Sequence, residues 1–335
     1  MSARWDVKKA NDWYKKQPWL VGCNYIPSNA INQLEMFQKD TFDFETNHRE
    51  LGWAQDLGMN SIRVYLHDLL WEDDAEGFKK TIDKFLNLAV KHKIKPLLVL
   101  FDDCWMPEPK LGKQPKPIPS VHNSGWMKSP GLKAVGDEKE WGRLEKYVKG
   151  VLKTFGKDDR IILWDLYNEP GNGPNRIKSF PLLKKTFEWA KEADPSQPIT
   201  SGLYGPFRIK DPEYREQDNF QIEESDIITF HNYEDKNSLI EEISELEVYK
   251  RPLICTEYLA RGAQSRFETC MPVFKNKKVG CYNWGLVSGK TNTIFPWKTE
   301  EGAPEPNPWH HDIFKKDGTP FDQKEIEFIK NITKL

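Results

Sequence analysis

Short runs rich in β-branched and aromatic residues alternate with stretches of helical periodicity along the whole 335-residue chain. A βαβ alternation of this kind specifies a parallel sheet with helices packed outside it. Strands are expected at 19–25, 61–67, 95–103, 161–169, 199–204, 227–233, 252–258 and 279–284. Eight of them predict a sheet closed on itself, an α/β fold of the (β/α)8 TIM-barrel type. The intervening helices fall at 46–57, 75–92, 139–155, 177–193, 238–249, 264–274 and 323–332, with a weak one near 212–221. The second of these sets Phe78, Ile82, Phe85, Leu86 and Ala89 at three- and four-residue spacing, with Asp83, Lys84 and Asn87 on the other face, as an outer barrel helix requires. No repeat, low-complexity tract or linker interrupts the pattern, so residues 1–335 read as one domain.

Three segments break the compact rhythm. They are 25–47, 104–137 with six prolines, and 287–311 with four, the long connections after strands 1, 3 and 8. Loops of this length are uncommon unless functional, and they follow strand C-termini, the end of a parallel barrel where sites are built. They are expected to wall off one end of a cleft and favour short substrates.

Charge excludes several classes of partner. The 49 basic and 51 acidic residues nearly cancel to −2, with no block of like charge, so no nucleic-acid footprint and no polybasic membrane patch is present. No apolar run approaches the roughly 20 residues that span a bilayer, and the first 30 residues lack the pattern of a secretory signal. The 13 Trp, 11 Tyr and 18 Phe supply a core despite a hydrophobic fraction of 38%. Five cysteines are too few for a disulfide scaffold and read as buried small hydrophobes. That usage fits a reducing compartment, and equally a mature exported enzyme; a monomer is expected.

Strand 2 locates the chemistry. Ile62, Val64 and Leu66 take one face, while Ser61, Arg63, Tyr65 and His67 take the other. The apolar set must meet the outer helices, so Arg63 points into the barrel, where a charge is costly without a partner. Something acidic must meet it. Leu253, Cys255 and Glu257 share one face of strand 7 by the same alternation, and Glu257, late in its strand, belongs at the mouth. Strand 4 ends in Trp164-Asp165-Leu166-Tyr167-Asn168-Glu169-Pro170, which puts a second carboxyl at the same rim, where Pro170 stops the ladder.

Two carboxyls across a barrel mouth, one beside an arginine and one not, meet the requirement of glycoside hydrolysis. One must attack the anomeric carbon as an anion, and the other must carry a proton for the departing oxygen. The expected nucleophile is Glu257, oriented by Arg63 and Tyr233, and the expected acid/base is Glu169. Asn168 is placed to donate to the sugar 2-hydroxyl. His231 and Tyr233 share a face of strand 6 and could serve the site or merely pack the core; Arg63 could likewise be a structural ion pair.

The segment Trp164 to Pro170 resembles the W-x-x-x-N-E-P ending of strand 4 in the retaining (β/α)8 glycoside hydrolase clan, and the chain is most similar to family 5, its cellulase and mannanase member. The resemblance extends to Arg63 in Asn60-Ser61-Ile62-Arg63, to His231-Asn232-Tyr233, to Thr256-Glu257 and to Trp284. It implies the 2-hydroxyl contact for Asn168, acid/base for Glu169, nucleophile for Glu257, and for Trp284 the floor under the attacked sugar. Where that family often carries a strand 3 histidine, this chain has Asp102, Asp103 and Trp105, expected to bind a sugar hydroxyl; His67 is a further candidate.

Five tryptophans, Trp71, Trp105, Trp126, Trp297 and Trp309, lie after strands, and at least two are expected to line a sugar cleft. His48, His92, His122, His310 and His311 read as solvated or capping residues, and no metal-ligand spacing occurs. The expectation is a retaining β-glycosidase acting on β-linked glucan- or mannan-type saccharides, with a carbohydrate as its partner and without metal or cofactor. The alternatives are a degenerate sugar-binding barrel, opposed by the presence of both carboxyls, a transglycosylase of the same clan, and a metal or Schiff-base barrel enzyme, for which the one strand lysine, Lys95, sits at the wrong end.

Overall fold

A computed structural model describes residues 3–204 and 211–334. Its eight strands are β1 Val21–Asn24, β2 Ser61–Tyr65, β3 Lys95–Asp102, β4 Leu163–Asn168, β5 Ile199–Thr200, β6 Ile228–His231, β7 Leu253–Tyr258 and β8 Gly280–Trp284. Every ladder is parallel, in the order β5-β4-β3-β2-β1-β8-β7-β6. Closure between β5 and β6 comes from a single parallel bridge, Leu203 to Phe230, with Leu203 N–H donating to Thr229 at 2.9 Å and His231 N–H to Leu203 at 3.1 Å. The result is the α/β TIM barrel that the strand count predicts.

The apolar residues divide into two sets around this cylinder. Ile62, Val64 and Leu66 join the large outer cluster with Phe78, Ile82, Phe85 and Leu86 of the helix Asp68–Lys91. Tyr65, Leu97, Val99, Leu163, Ile254 and Tyr282 form the inner cluster. The helix Val7–Lys15, capped by Asp6 accepting from Lys9 N–H, was not foreseen in the sequence pattern. It brings Ala10, with Trp5, Trp13 and Tyr14, against Leu20, Ile227, Ile254 and Tyr282 at the strand starts, and so plugs the floor of the barrel. That leaves the opposite end for chemistry.

Strict alternation fails in two places that matter. Phe230 pairs with Cys255 and His231 with Glu257, which skips Thr256. A bulge of this kind re-aims the side chains beyond it. Leu253 and Cys255 therefore lie in the outer cluster while Glu257 turns inward, so the expected common face of Cys255 and Glu257 is corrected. In β4, Leu166 and Tyr167 both join the outer cluster, and Asp165 and Asn168 both reach Arg63.

Candidate active site

Arg63 is the hub. Fully buried, it places Nη1 2.7 Å from Glu257 Oε1 and 2.9 Å from Asn24 Oδ1, and Nη2 2.7 Å from Asp165 Oδ2 and 2.6 Å from Asn168 Oδ1. Its Nη1 also meets the Tyr65 hydroxyl oxygen. Burial works against this cation, but Tyr65, Asp165 and Glu257 outweigh it and hold the guanidinium charged.

Glu257 receives two further donors, the hydroxyls of Tyr65 at 2.9 Å and Tyr233 at 2.7 Å. Burial, the largest cause, pushes both phenols well above the ordinary tyrosine range, so they remain donors. Asn168 is fixed by its neighbours: Oδ1 accepts from Arg63, and Nδ2 donates to Asp102 at 2.9 Å and to the Cys104 sulfur at 3.5 Å. Asp102 also accepts from Trp126 Nε1 at 2.7 Å, and burial raises its carboxyl to about 6 against these donors.

Glu169 has a different environment. Its Oε1 lies 2.7 Å from His231 Nδ1, and its Oε2 accepts from Asn172 Nδ2 at 2.5 Å and from the Cys104 thiol at 3.2 Å. Burial pushes this carboxyl up, and the His231 ring, aided by the other donors, pulls it down further, to below the ordinary glutamate range. The ring thus favours the ionised form of this carboxyl. The backbone of Glu169 has φ of 44°, in the left-handed region that few non-glycine residues adopt, as at many functional sites.

His231 stands between the carboxyls, with Nε2 3.6 Å from Glu257 Oε1. One oxygen of each glutamate and one nitrogen of His231 all lie within 4.8 Å of one another. Gly202 makes room for the ring, since a Cβ there would come 3.0 Å from His231 Nε2. The trio has the donor types of a metal site, but Arg63 already neutralises Glu257 beside it, which weakens the site for a cation.

The structure thus gathers Arg63, Asn168, Glu169, His231, Tyr233 and Glu257, with Trp284 6.0 Å from Tyr65 by ring centroid. His67 and Asp103 stand apart. His67 caps the helix Asp68–Lys91 by accepting from Leu69 N–H at 3.2 Å, because β2 ends two residues earlier. Asp103 accepts from Tyr167, from Gly171 N–H at 2.6 Å and from Ser179, so it braces the turn after β4; the neighbouring Asp102 faces the cluster. Trp105 lies at the rim, 37% exposed, stacked on His122.

Trp126 packs edge-on to Tyr65 and Trp297 edge-on to Tyr233, whereas Trp71 lies against Tyr147 and Trp309 against Phe321. Sequence reasoning passed over Asp165, Tyr65, Asn24, Cys104 and Asn172. Asp165 and Tyr65 had a usable signal, as polar groups in inward phase with Arg63; Asn24 closes β1 in register with Arg63, and Cys104 and Asn172 reach the site through loop geometry.

No protein-family model matches the chain, and no curated protein sequence does. Solved structures do match in fold. An exo-β-1,4-mannosidase from Opitutaceae bacterium strain TAV5 aligns at a TM-score of 0.65 with 15% identity, over 94% of this chain and 59% of its own. The chain thus spans less than two thirds of that protein. A GH5_18 protein from Bifidobacterium longum, solved with Manβ1-4GlcNAc, aligns at 0.63 with 10% identity, over 94% of this chain and 77% of its own. The hyperthermostable endo-1,4-β-D-mannanase from Thermotoga petrophila aligns at 0.59 with 14% identity, over 94% of this chain and 99% of its own. At these identities the likeness is one of fold, and the fold this chain shares with them is the (β/α)8 barrel.

Proposed function

We propose that this protein is a retaining β-glycosidase that cleaves β-linked mannosides or glucosides through a glycosyl ester on Glu257. The observation that carries the reading is the pair of inward glutamates at the ends of β4 and β7, whose nearest oxygens lie within 4.8 Å. Retaining enzymes hold their carboxyls about 5–5.5 Å apart, whereas inverting ones need about 6.5–9.5 Å to admit a water. The family 5 resemblance of the Trp164–Pro170 motif and the fold likeness to enzymes named as mannosidases and mannanases point the same way.

In the first step Glu257 attacks the anomeric carbon, and the bond to the leaving oxygen breaks as Glu169 passes that oxygen a proton. Arg63, Tyr65 and Tyr233 solvate the attacking anion and fix its direction. The His231–Glu169 pair supplies the proton; excluding water on substrate binding favours its neutral arrangement, with the proton on the carboxyl. In the second step Glu169 takes a proton from water, the resulting hydroxide attacks the same carbon, and Glu257 leaves. Asn168 donates to the 2-hydroxyl throughout, exchanging its long contact with the Cys104 sulfur for the sugar oxygen.

The test is hydrolysis of β-1,4-linked manno- and gluco-oligosaccharides followed by proton NMR. The β-anomer of the released sugar is expected first, relaxing slowly to the equilibrium mixture. Initial release of the α-anomer would overturn the two-step mechanism.

A further inference from the structure

The three long connections after β1, β3 and β8 are locked to each other. Asn32 Nδ2 of the first donates to Gly125 of the second at 2.8 Å. The second and third are joined by Asn123 N–H to Thr291 at 2.7 Å, His122 Nδ1–H to Phe295 at 2.7 Å and Ser120 Oγ to Ala303 at 2.6 Å. The third returns to the first through Lys290, whose N–H donates to Ser28 at 3.1 Å and whose Nζ meets Glu35 at 2.6 Å. Beyond β7, buried Arg261 donates to the carbonyls of Trp309, His311 and Asp312 and pairs with Glu325. The result is one continuous wall running from β3 past β2, β1 and β8 to β7.

This wall covers β7, which carries Glu257, and at its β3 end reaches Glu169 through the Cys104 thiol. The leaving group departs beside Glu169, on β4, where the chain passes through the short turn Gly173–Ser179 into the helix Phe180–Ala193. Both carboxyls are nearly covered, at 6% for Glu169 and 4% for Glu257. A groove for the middle of a polysaccharide must be open on both sides of the attacked sugar.

Within the wall lies buried His311, its ring centroid 5.6 Å from Tyr233, 6.5 Å from Trp284 and 5.3 Å from His122. Both histidines turn Nδ1 to a backbone carbonyl, of Phe295 for His122 and of Leu259 for His311. A nitrogen facing a carbonyl must carry the proton, so Nε2 of each is an acceptor. Burial lowers His122 to about 4 and His311 well below its ordinary value, which keeps both rings neutral.

Resting on the glycosidase reading above, we propose that the protein is exo-acting. The wall closes the site one sugar beyond the scissile bond, and His311 and His122 accept hydroxyl protons of the non-reducing terminal sugar. A chain-internal sugar, which carries a glycosidic oxygen and a further ring in place of a terminal hydroxyl, is excluded by the wall and gives those acceptors no proton.

The first measurement uses the Glu257→Gln protein and calorimetric titration with β-1,4-mannotriose, free or 4-O-methylated on its non-reducing end. The capped sugar is expected to bind at least tenfold more weakly, and equal affinity overturns the proposal. The second follows wild-type protein on mannopentaose labelled with oxygen-18 at its reducing end. Mannose and labelled mannotetraose are expected as first products; early mannobiose or mannotriose overturns exo action while leaving the glycosidase reading intact. Absence of both binding and hydrolysis on manno- and gluco-oligosaccharides removes the two readings together. His311→Phe keeps a ring but removes the acceptor, and is expected to raise KM on mannotriose at least tenfold with kcat within twofold. A fall in kcat alone would assign His311 a structural role and remove it from recognition.

Discussion

Glu257 and Glu169 face each other across a few ångströms, yet they are held by opposite kinds of partner. Glu257 is fixed by a permanent cation and two phenols, none of which changes charge near neutral pH. Glu169 is fixed by an imidazole, an amide and a thiol, and against burial the His231 ring pulls its carboxyl below the ordinary glutamate value. In the proposed mechanism, the first set of partners serves the attacking carboxyl and the second the carboxyl that carries the proton. Neighbouring side chains, more than depth of burial, separate the two roles, since both groups are almost equally covered.

The sharpest way to break this comparison is Glu257→Gln, which is expected to reduce kcat by a factor on the order of 10⁴ or more on every substrate, with the fold unchanged by circular dichroism. Near-normal turnover would remove the nucleophile. Glu169→Gln is expected to cost about 10²–10⁴ in kcat/KM on unactivated glycosides. The loss should shrink on 2,4-dinitrophenyl glycosides, whose leaving oxygen needs little protonation. Equal loss on both would contradict the acid role.

Arg63→Met tests the permanent cation. It leaves Asp165 and Glu257 buried without their partner, and stability measured in urea is expected to fall by about 3–5 kcal/mol.

A third buried glutamate, Glu242, has neither environment. Its Oε2 accepts from Asn232 at 2.7 Å, its Oε1 has no partner among the described residues, and burial raises it to about 8. A folded-state value above the unfolded one means that the native state binds the extra proton between pH 4.5 and about 8, so stability falls as pH rises through that window. Glu242→Gln should lack this loss, giving a Tm gain at pH 8 that vanishes at pH 4. An equal gain at both pH values would show that the carboxyl charge is not the cause.

The barrel and both glutamates were legible because they rest on local signals. Alternation around Ile62, Val64 and Leu66 turned Arg63 inward, and the Asn168-Glu169-Pro170 ending marked a strand terminus. Glu257 was reached through a flawed step, since Cys255 does not share its face. The skipped Thr256 depends on how β6 and β7 register, which neither strand encodes alone. His67 and Asp103 misled for a related reason. Inward phase and position past a strand could not tell a helix cap or a turn brace from a ligand contact, because what occupies such a side chain comes from the following segment. The neutral histidines were unreadable because His122 and His311 meet only when loops from β3 and β8 fold over one another.

The floor plug carries a consequence for how the molecule comes together. Trp5 N–H donates to Asp226 at 2.7 Å, and Arg251 donates to the Trp5 carbonyl at 2.8 Å, so the opening residues are tied to strands more than 200 positions away. As the chain leaves the ribosome, this first helix has no seat until β6 and β7 have emerged. Its apolar face must wait exposed through most of synthesis, and contacts of such long sequence separation are slow to close. Assembly of the cylinder is in this sense closed late, with a segment made before every strand among the last to dock.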